Sequence, residues 1–263
     1  MTFTLSIIEG TLNIIVQVSS VRAATADAAP PTYTPAPAGC SLPALCAMTT
    51  ADVTAAIRKL PDKQCAADRL PTRLLKDNVD LLSPFVTALF NKSVTSGICP
   101  AAFKTAVITP RLKKTSLEPA EPQSYRPVLS KTLERLVARQ LVAHLILWKL
   151  MPELQSAYRA NHSTETAVLR VLADILGALD RGDYAVLTLL DLSAAFDTVD
   201  HATLLRRLQI TYGISGTALS WFSSYRKKAA SPVQRHEVFT TLHILWSSSG
   251  VGLRPDPFLT IHS

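Results

Sequence analysis

Apolar residues recur every three or four positions through much of this chain, and the spacing predicts a series of helices. Thr50 can cap the first, which sets Val53, Ile57 and Leu60 on one face and stops at Pro61. A longer helical stretch, 70–96, carries Leu74, Leu75, Leu81, Leu82, Phe85, Leu89 and Phe90, with Asp77–Asn78 and Pro84 as points where it can break. In KTLERLVARQLVAHLILWKL, residues Leu133, Leu136, Val137, Leu141 and Leu145 form an apolar stripe. A further helix, capped by Ser163 or Thr164 and running to Asp180, should bury Val168, Leu172, Ile175, Leu176 and Leu179. Two more follow, one capped by Asp200 and running through Leu208, the other in SGTALSWFSSYRKK.

Two stretches break the helical period. TAVITPRLKK is β-branched and reads as a strand that runs into Lys113 and Lys114, followed by the loop TSLEPAEPQSYRP. At Tyr184 the pattern becomes continuous: YAVLTLL predicts a buried strand that ends on Asp191, with Asp197 and Asp200 close behind. A carboxylate is costly to bury without a partner. Asp191 is therefore either a capping or turn residue at a solvated strand end or a ligand for a cation.

Charge is unevenly spread. The chain has 263 residues and a formal net charge of +7, and residues 49–160 hold 17 basic against 9 acidic residues, a local excess of +8. Residues 161–228 balance at 7 against 7, and 229–263 at 2 against 2. An excess confined to one segment suggests a polyanion-facing surface, the alternative being a solvated basic face with no partner. Lys131, Arg135 and Arg139 share one helical face and are open to both readings. Cys40, Cys46, Cys65 and Cys99 show no paired spacing, which argues against zinc and for a reducing, intracellular setting in the nucleus or cytoplasm.

The first residues look superficially like a secretion signal but lack a basic start, and Glu9 and Asn13 interrupt the apolar run. No stretch is apolar for the roughly 18 residues that a membrane span needs. AAPPTYTPAPAG, residues 28–39, reads as an extended linker without a core role, so order is expected to begin near Thr50. These shifts divide the chain into a disordered leader and linker (1–48), a basic stretch of upstream helices (49–160), a charge-balanced segment (161–228) and a weakly patterned tail (229–263).

Five blocks in order, KTAVITPRLKKTSLEPAEPQSYRPV, LSKTLERLVARQL, LQSAYRANHSTETA, LLDLSAAFDTVDHATLLRRL and YGISGTALSWFSSYR, resemble the reverse transcriptase of LINE-type, non-LTR retrotransposons. The resemblance implies a helix-rich α/β fold of fingers and palm, with an RNA template, a DNA primer and deoxynucleoside triphosphates as partners. It makes Asp191 the catalytic metal ligand, beside the backbone carbonyl of Leu192, in a site for two magnesium ions. Such ions, ~3.5–4 Å apart, activate the primer hydroxyl and hold the triphosphate. Carboxylate and carbonyl oxygens suit magnesium. Phe196 matches the bulky gate that favours deoxynucleotides; without the family it reads as an ordinary core phenylalanine. Arg126, in SYRP, is carried over as a triphosphate contact, since its planar fork matches phosphate. Lys113 or Lys114 is either a second contact or simply solvated. Gln155 and Arg159 fall near the template or nucleotide, while Asp197 and Asp200 fit turn and cap roles.

The departures from that family bear on activity. VLSK follows YRP with no intervening turn, and Ala157 and Ala160 stand where the family has Gly and often Pro. Where the family has a Gly-Val-Pro-Gln-Gly-Ser run, SSSGVGLRPDPF keeps Gly250 and Val251. The aromatic-x-Asp-Asp hairpin of motif C is missing, and no two aspartates are adjacent anywhere. The expectation is a truncated polymerase copy, inactive as it stands. The alternatives are a non-catalytic remnant that binds RNA or single-stranded DNA, and, ranked last, a helical interaction module.

Overall fold

The computed structural model describes residues 23, 31–61, 70–104, 128–157, 159–189 and 199–226, with the backbone alone at 107–109 and 123–125. Its first long element, α1 (Thr50–Arg58), is capped by Thr49 and not by Thr50. The Thr49 hydroxyl accepts from Asp52 N–H at 3.1 Å, and the Asp52 carboxylate accepts in return from Thr49 N–H at 3.2 Å. A reciprocal cap needs its acid three places on, and Asp52 stands in that relation to Thr49. The stretch after it breaks at Asn78 into α2 (Thr72–Asp77) and α3 (Val79–Ser96), and α3 continues through Pro84. A short α4 (Ala101–Lys104) leads towards β1 (Val107–Thr109).

Helix α5 (Val128–Leu147) buries its whole predicted stripe, Leu133, Leu136, Val137, Leu141 and Leu145. Helix α6 spans Thr164–Asp180 under a Ser163 cap; α7 spans His201–Ile210 and α8 Gly216–Arg226. One apolar cluster joins the upstream helices to the last pair: Val53, Ile57, Phe90, Leu141, Leu208 and Trp221 all belong to it. α1 lies against α3 and α5, and α8 lies against α3 and α7. Trp221 fixes the contact of α8 with α3. It is fully buried, stacks on Tyr225 at 5.3 Å and donates its indole N–H to Ser93 Oγ of α3 at 3.0 Å.

Residues 31–48 depart from the linker expected there. They run as a strap across the helices, with Cys40, Leu45 and Met48 buried. Ala36 N–H donates to Ile210 O at 2.8 Å, and Leu42 makes a one-residue parallel bridge with Ile214. Two side-chain amides then grip the main chain. Gln140 accepts from Cys46 N–H (2.7 Å) and donates to Cys46 O (2.9 Å). Asn91 does the same at Met48, at 2.7 and 3.0 Å. A proline-rich segment cannot build its own ladder, but it can be held by groups that satisfy its free backbone.

Two further expectations are corrected. The strand predicted from Tyr184 is irregular and solvent-facing over 185–189, with Tyr184 86 % and Leu189 84 % exposed. Likewise Val168, Leu172, Leu176 and Leu179 of α6 are each about half exposed, Ile175 is only partly covered, and Ala178 is the one buried residue of the helix. Both patterns encode a face that needs a partner without supplying one. Among the described residues no sheet lies against α6 and no strand pairs with 185–189. Sheet structure among the described residues is a single antiparallel ladder, β1 with β2 (Gln123–Tyr125), in register Val107↔Tyr125 and Thr109↔Gln123. β2 falls inside the loop expected from its prolines and acids, because the edge of β1 offers a partner for QSY.

Candidate nucleic-acid interface

The register of the ladder sets where the expected nucleotide contacts depart. The chain leaves β1 at Thr109 and β2 at Tyr125, which lie at opposite ends of the pairing. Lys113, Lys114 and Arg126 themselves, like Asp191, Leu192 and Phe196, lie outside the described residues. The tail 229–263 does too.

The basic face of α5 is described, and its three cations differ in freedom. Lys131 is exposed, and Arg135 is half-buried. Arg139 sits 3.8 Å from the Asp52 carboxylate, both groups being about half exposed. Asp52 is held below the usual aspartate value by the Thr49 hydroxyl and backbone N–H and, last, by the Arg139 charge. Solvent screens such an exposed pair, so a phosphate could displace Asp52 from Arg139. Behind α1 lies an open cleft of about 680 Å³ lined by Thr50, Thr54, Arg58, Lys59, Asp80 and Ser83. The Arg58–Asp80 pair, at 3.0 Å, crosses its wall.

Gln155 and Arg159 are committed to their own loop. Arg159 donates to the carbonyls of Pro152 (3.2 Å) and Glu153 (3.0 Å). Gln155 donates to Ala157 O at 3.1 Å, while its buried Oε1 has no hydrogen-bond partner among the described residues. A buried acceptor left open in this way could take a donor from a bound ligand. Asp200 performs the role expected of it and caps α7, accepting from Thr203 N–H at 2.8 Å. Burial raises its pKa, yet the hydrogen bonds from Thr203 and Ala202 outweigh burial and hold the carboxyl below the ordinary value. Among the described residues no group of three or more His, Cys, Asp or Glu side chains could hold a metal.

Sequence reasoning missed Tyr33, Asn91 and Gln140, which hold the strap across this region. Tyr33 offered no signal, since it sits in a proline-rich stretch. Asn91 and Gln140 read as ordinary polar positions on helices.

The model of the family described as reverse transcriptase (RNA-dependent DNA polymerase) matches residues 112–240. The matched segment belongs to the reverse transcriptase family. The chain is 35 % identical over 179 residues to the RNA-directed DNA polymerase from mobile element jockey of Drosophila melanogaster, covering 66 % of this chain and 19 % of that protein. It is 31 % identical over 164 residues to the probable RNA-directed DNA polymerase from transposon X-element of the same fly, covering 60 % of this chain and 18 % of that protein. The corresponding protein from transposon BS is 29 % identical over 164 residues, with the same shares covered. The chain thus spans about a fifth of the length of the curated relatives it matches. The matched part of the chain is thus similar to RNA-directed DNA polymerases of mobile elements. The reverse transcriptase match begins after β1, so the strap, helices α1 to α4 and β1 are the part of the structure that lies upstream of it.

Proposed function

We propose that this chain is the fingers and first palm portion of an RNA-directed DNA polymerase, that it holds RNA or single-stranded DNA, and that it does not by itself transfer nucleotides. Asp191 and the Leu192 carbonyl are the magnesium ligands in this reading, Phe196 gates the sugar, and Arg126 with Lys113 or Lys114 meets the triphosphate. Magnesium supplies charge neutralisation on the transferring phosphoryl oxygens.

One observation carries the inactivity: no adjacent aspartates occur in the sequence to complete a two-metal site around Asp191. The excess of cations over 49–160 supports binding, with Lys131, Arg135 and Arg139 as the described surface. Among the described residues no helix is long and apolar enough to cross a membrane. Among the described residues Cys40, Cys46 and Cys99 form no disulfide, which favours a reducing compartment.

Primer extension on an RNA template with magnesium and deoxynucleotides tests catalysis, and no incorporation is expected. Extension that vanishes in Asp191→Asn would overturn the proposal and show that other carboxylates complete the site. Binding is tested separately by titrating RNA at several salt concentrations. Affinity should fall steeply with salt, and the triple variant of Lys131, Arg135 and Arg139 to alanine should flatten the slope. An unchanged slope would assign the basic excess to solubility alone.

A further inference from the structure

Within the strap, residues 31–37 have no regular secondary structure, and Thr34 is exposed and followed by Pro35. The other described serine or threonine before a proline with a described side chain is Ser83, which is buried inside helix α3. A protein kinase engages its acceptor hydroxyl on accessible backbone outside regular secondary structure, a condition that Thr34 meets and Ser83 does not. Beside Thr34, the Tyr33 ring is approached by two cations. The guanidinium carbon of Arg206 is 5.8 Å from the ring centroid and that of Arg207 is 5.6 Å. Arg206 is exposed, whereas Arg207 is 1 % exposed and fixed within the core. The Ala36–Ile210 hydrogen bond holds the chain over α7 just beyond this point.

We propose that Thr34 is a phosphorylation site for a protein kinase that reads proline directly after the acceptor hydroxyl, and that the phosphothreonine locks the strap onto α7 through Arg206. In the transfer, Thr34 Oγ1 attacks the γ-phosphorus of ATP, the bond from that phosphorus to the bridging oxygen breaks, and ADP leaves. The hydroxyl proton passes to the kinase's base. The product carries about −1.5 to −2 charges and three acceptor oxygens. Thr34 is the residue directly after Tyr33, and the lock requires the long, exposed Arg206 side chain to swing from the Tyr33 ring to the phosphate. Arginine's fork matches phosphate in two parallel hydrogen bonds, and buried Arg207 adds attraction without moving. The lock acts on α7, the helix that follows the segment carrying Asp191, and it does not depend on whether the chain polymerises.

The purified chain, incubated with a proline-directed protein kinase and magnesium ATP, should gain phosphate at Thr34 as mapped by mass spectrometry. Labelling should disappear in Thr34→Ala and persist in the Thr109→Ala and Ser231→Ala variants. Phosphate only on Thr32, Tyr33, Thr109 or Ser231, or on none of them and not on Thr34, overturns the site. The lock is read by limited proteolysis within 31–48: cleavage should slow roughly tenfold on phosphorylation, the effect of a charge-assisted hydrogen bond or two. That protection should be lost in Arg206→Ala and at high salt. Equal or faster cleavage of the phosphorylated chain overturns the lock, as does protection that survives Arg206→Ala.

Discussion

Replacing Gly213 by alanine should detach the strap, and the size of the effect can be built from its parts. Gly213 has φ +66°, in the left-handed region that an alanine side chain disfavours. That cost alone is about 1 kcal/mol. The added Cβ would also stand 2.4 Å from the carbonyl oxygen of Cys40, a main-chain atom that cannot turn aside. The strap must move away, and two hydrogen bonds go with it: Leu42 N–H to Gly213 O (2.9 Å) and Ser215 N–H to Leu42 O (3.1 Å). At about 1 kcal/mol each, the total loss is roughly 3 kcal/mol, a large share of the usual ~5–15 kcal/mol of a domain. Gly182 is the control, because it has φ +83° but nothing within 4 Å of its Cβ. Gly182→Ala should therefore cost only the backbone share, about 1 kcal/mol. Urea unfolding measures both losses, and limited proteolysis reports whether 31–48 has come free. Equal losses in the two variants, with the strap still protected in Gly213→Ala, would refute the strap contacts.

Two smaller perturbations test other joints. Asp200 has a folded pKa below its ordinary 3.8, so the stability it contributes is present above 3.8 and drains away as pH falls through the lower folded value. Asp200→Asn should keep the cap and remove that acid-side loss, while Asp200→Ala should cost about 1 kcal/mol at neutral pH; identical pH–stability curves for wild type and Asp200→Asn would contradict the linkage. Trp221→Phe removes the indole donor to Ser93 and should cost roughly 1–3 kcal/mol by denaturant unfolding, and no change would mean that the bond joining α3 to α8 contributes nothing.

What the sequence revealed depended on whether an element carries its own partner in its pattern. The stripe of α5 and the caps at Ser163 and Asp200 were legible because local spacing and a single side chain specify them. The same kind of pattern misleads at α6 and at 185–189, where the apolar face stands largely exposed. Periodicity states which side would be covered and is silent on whether a cover is present. The strap was illegible for the opposite reason. Its order comes from Gln140 and Asn91, about 94 and 43 residues away from the residues they hold, and prolines nearby disguise it. For the candidate site, the spacing of Lys131, Arg135 and Arg139 gave the shared face but could not show that Asp52 stands opposite Arg139. Nor could it show that Arg159 is spent on the carbonyls of its own loop.

The twin amide clamps have a consequence for how this chain tolerates mutation. Gln140 and Asn91 read only the peptide groups of Cys46 and Met48, each taking one N–H and giving one N–H in return. A clamp of this kind is blind to side-chain identity at an exposed position such as Cys46, which is then free to drift. The clamping residues enjoy no such latitude. Changing either amide to its isosteric acid keeps the shape but removes the donor and turns a carboxylate towards a carbonyl oxygen. The vulnerability of the strap is therefore written on α3 and α5, far along the chain from the segment that would come loose.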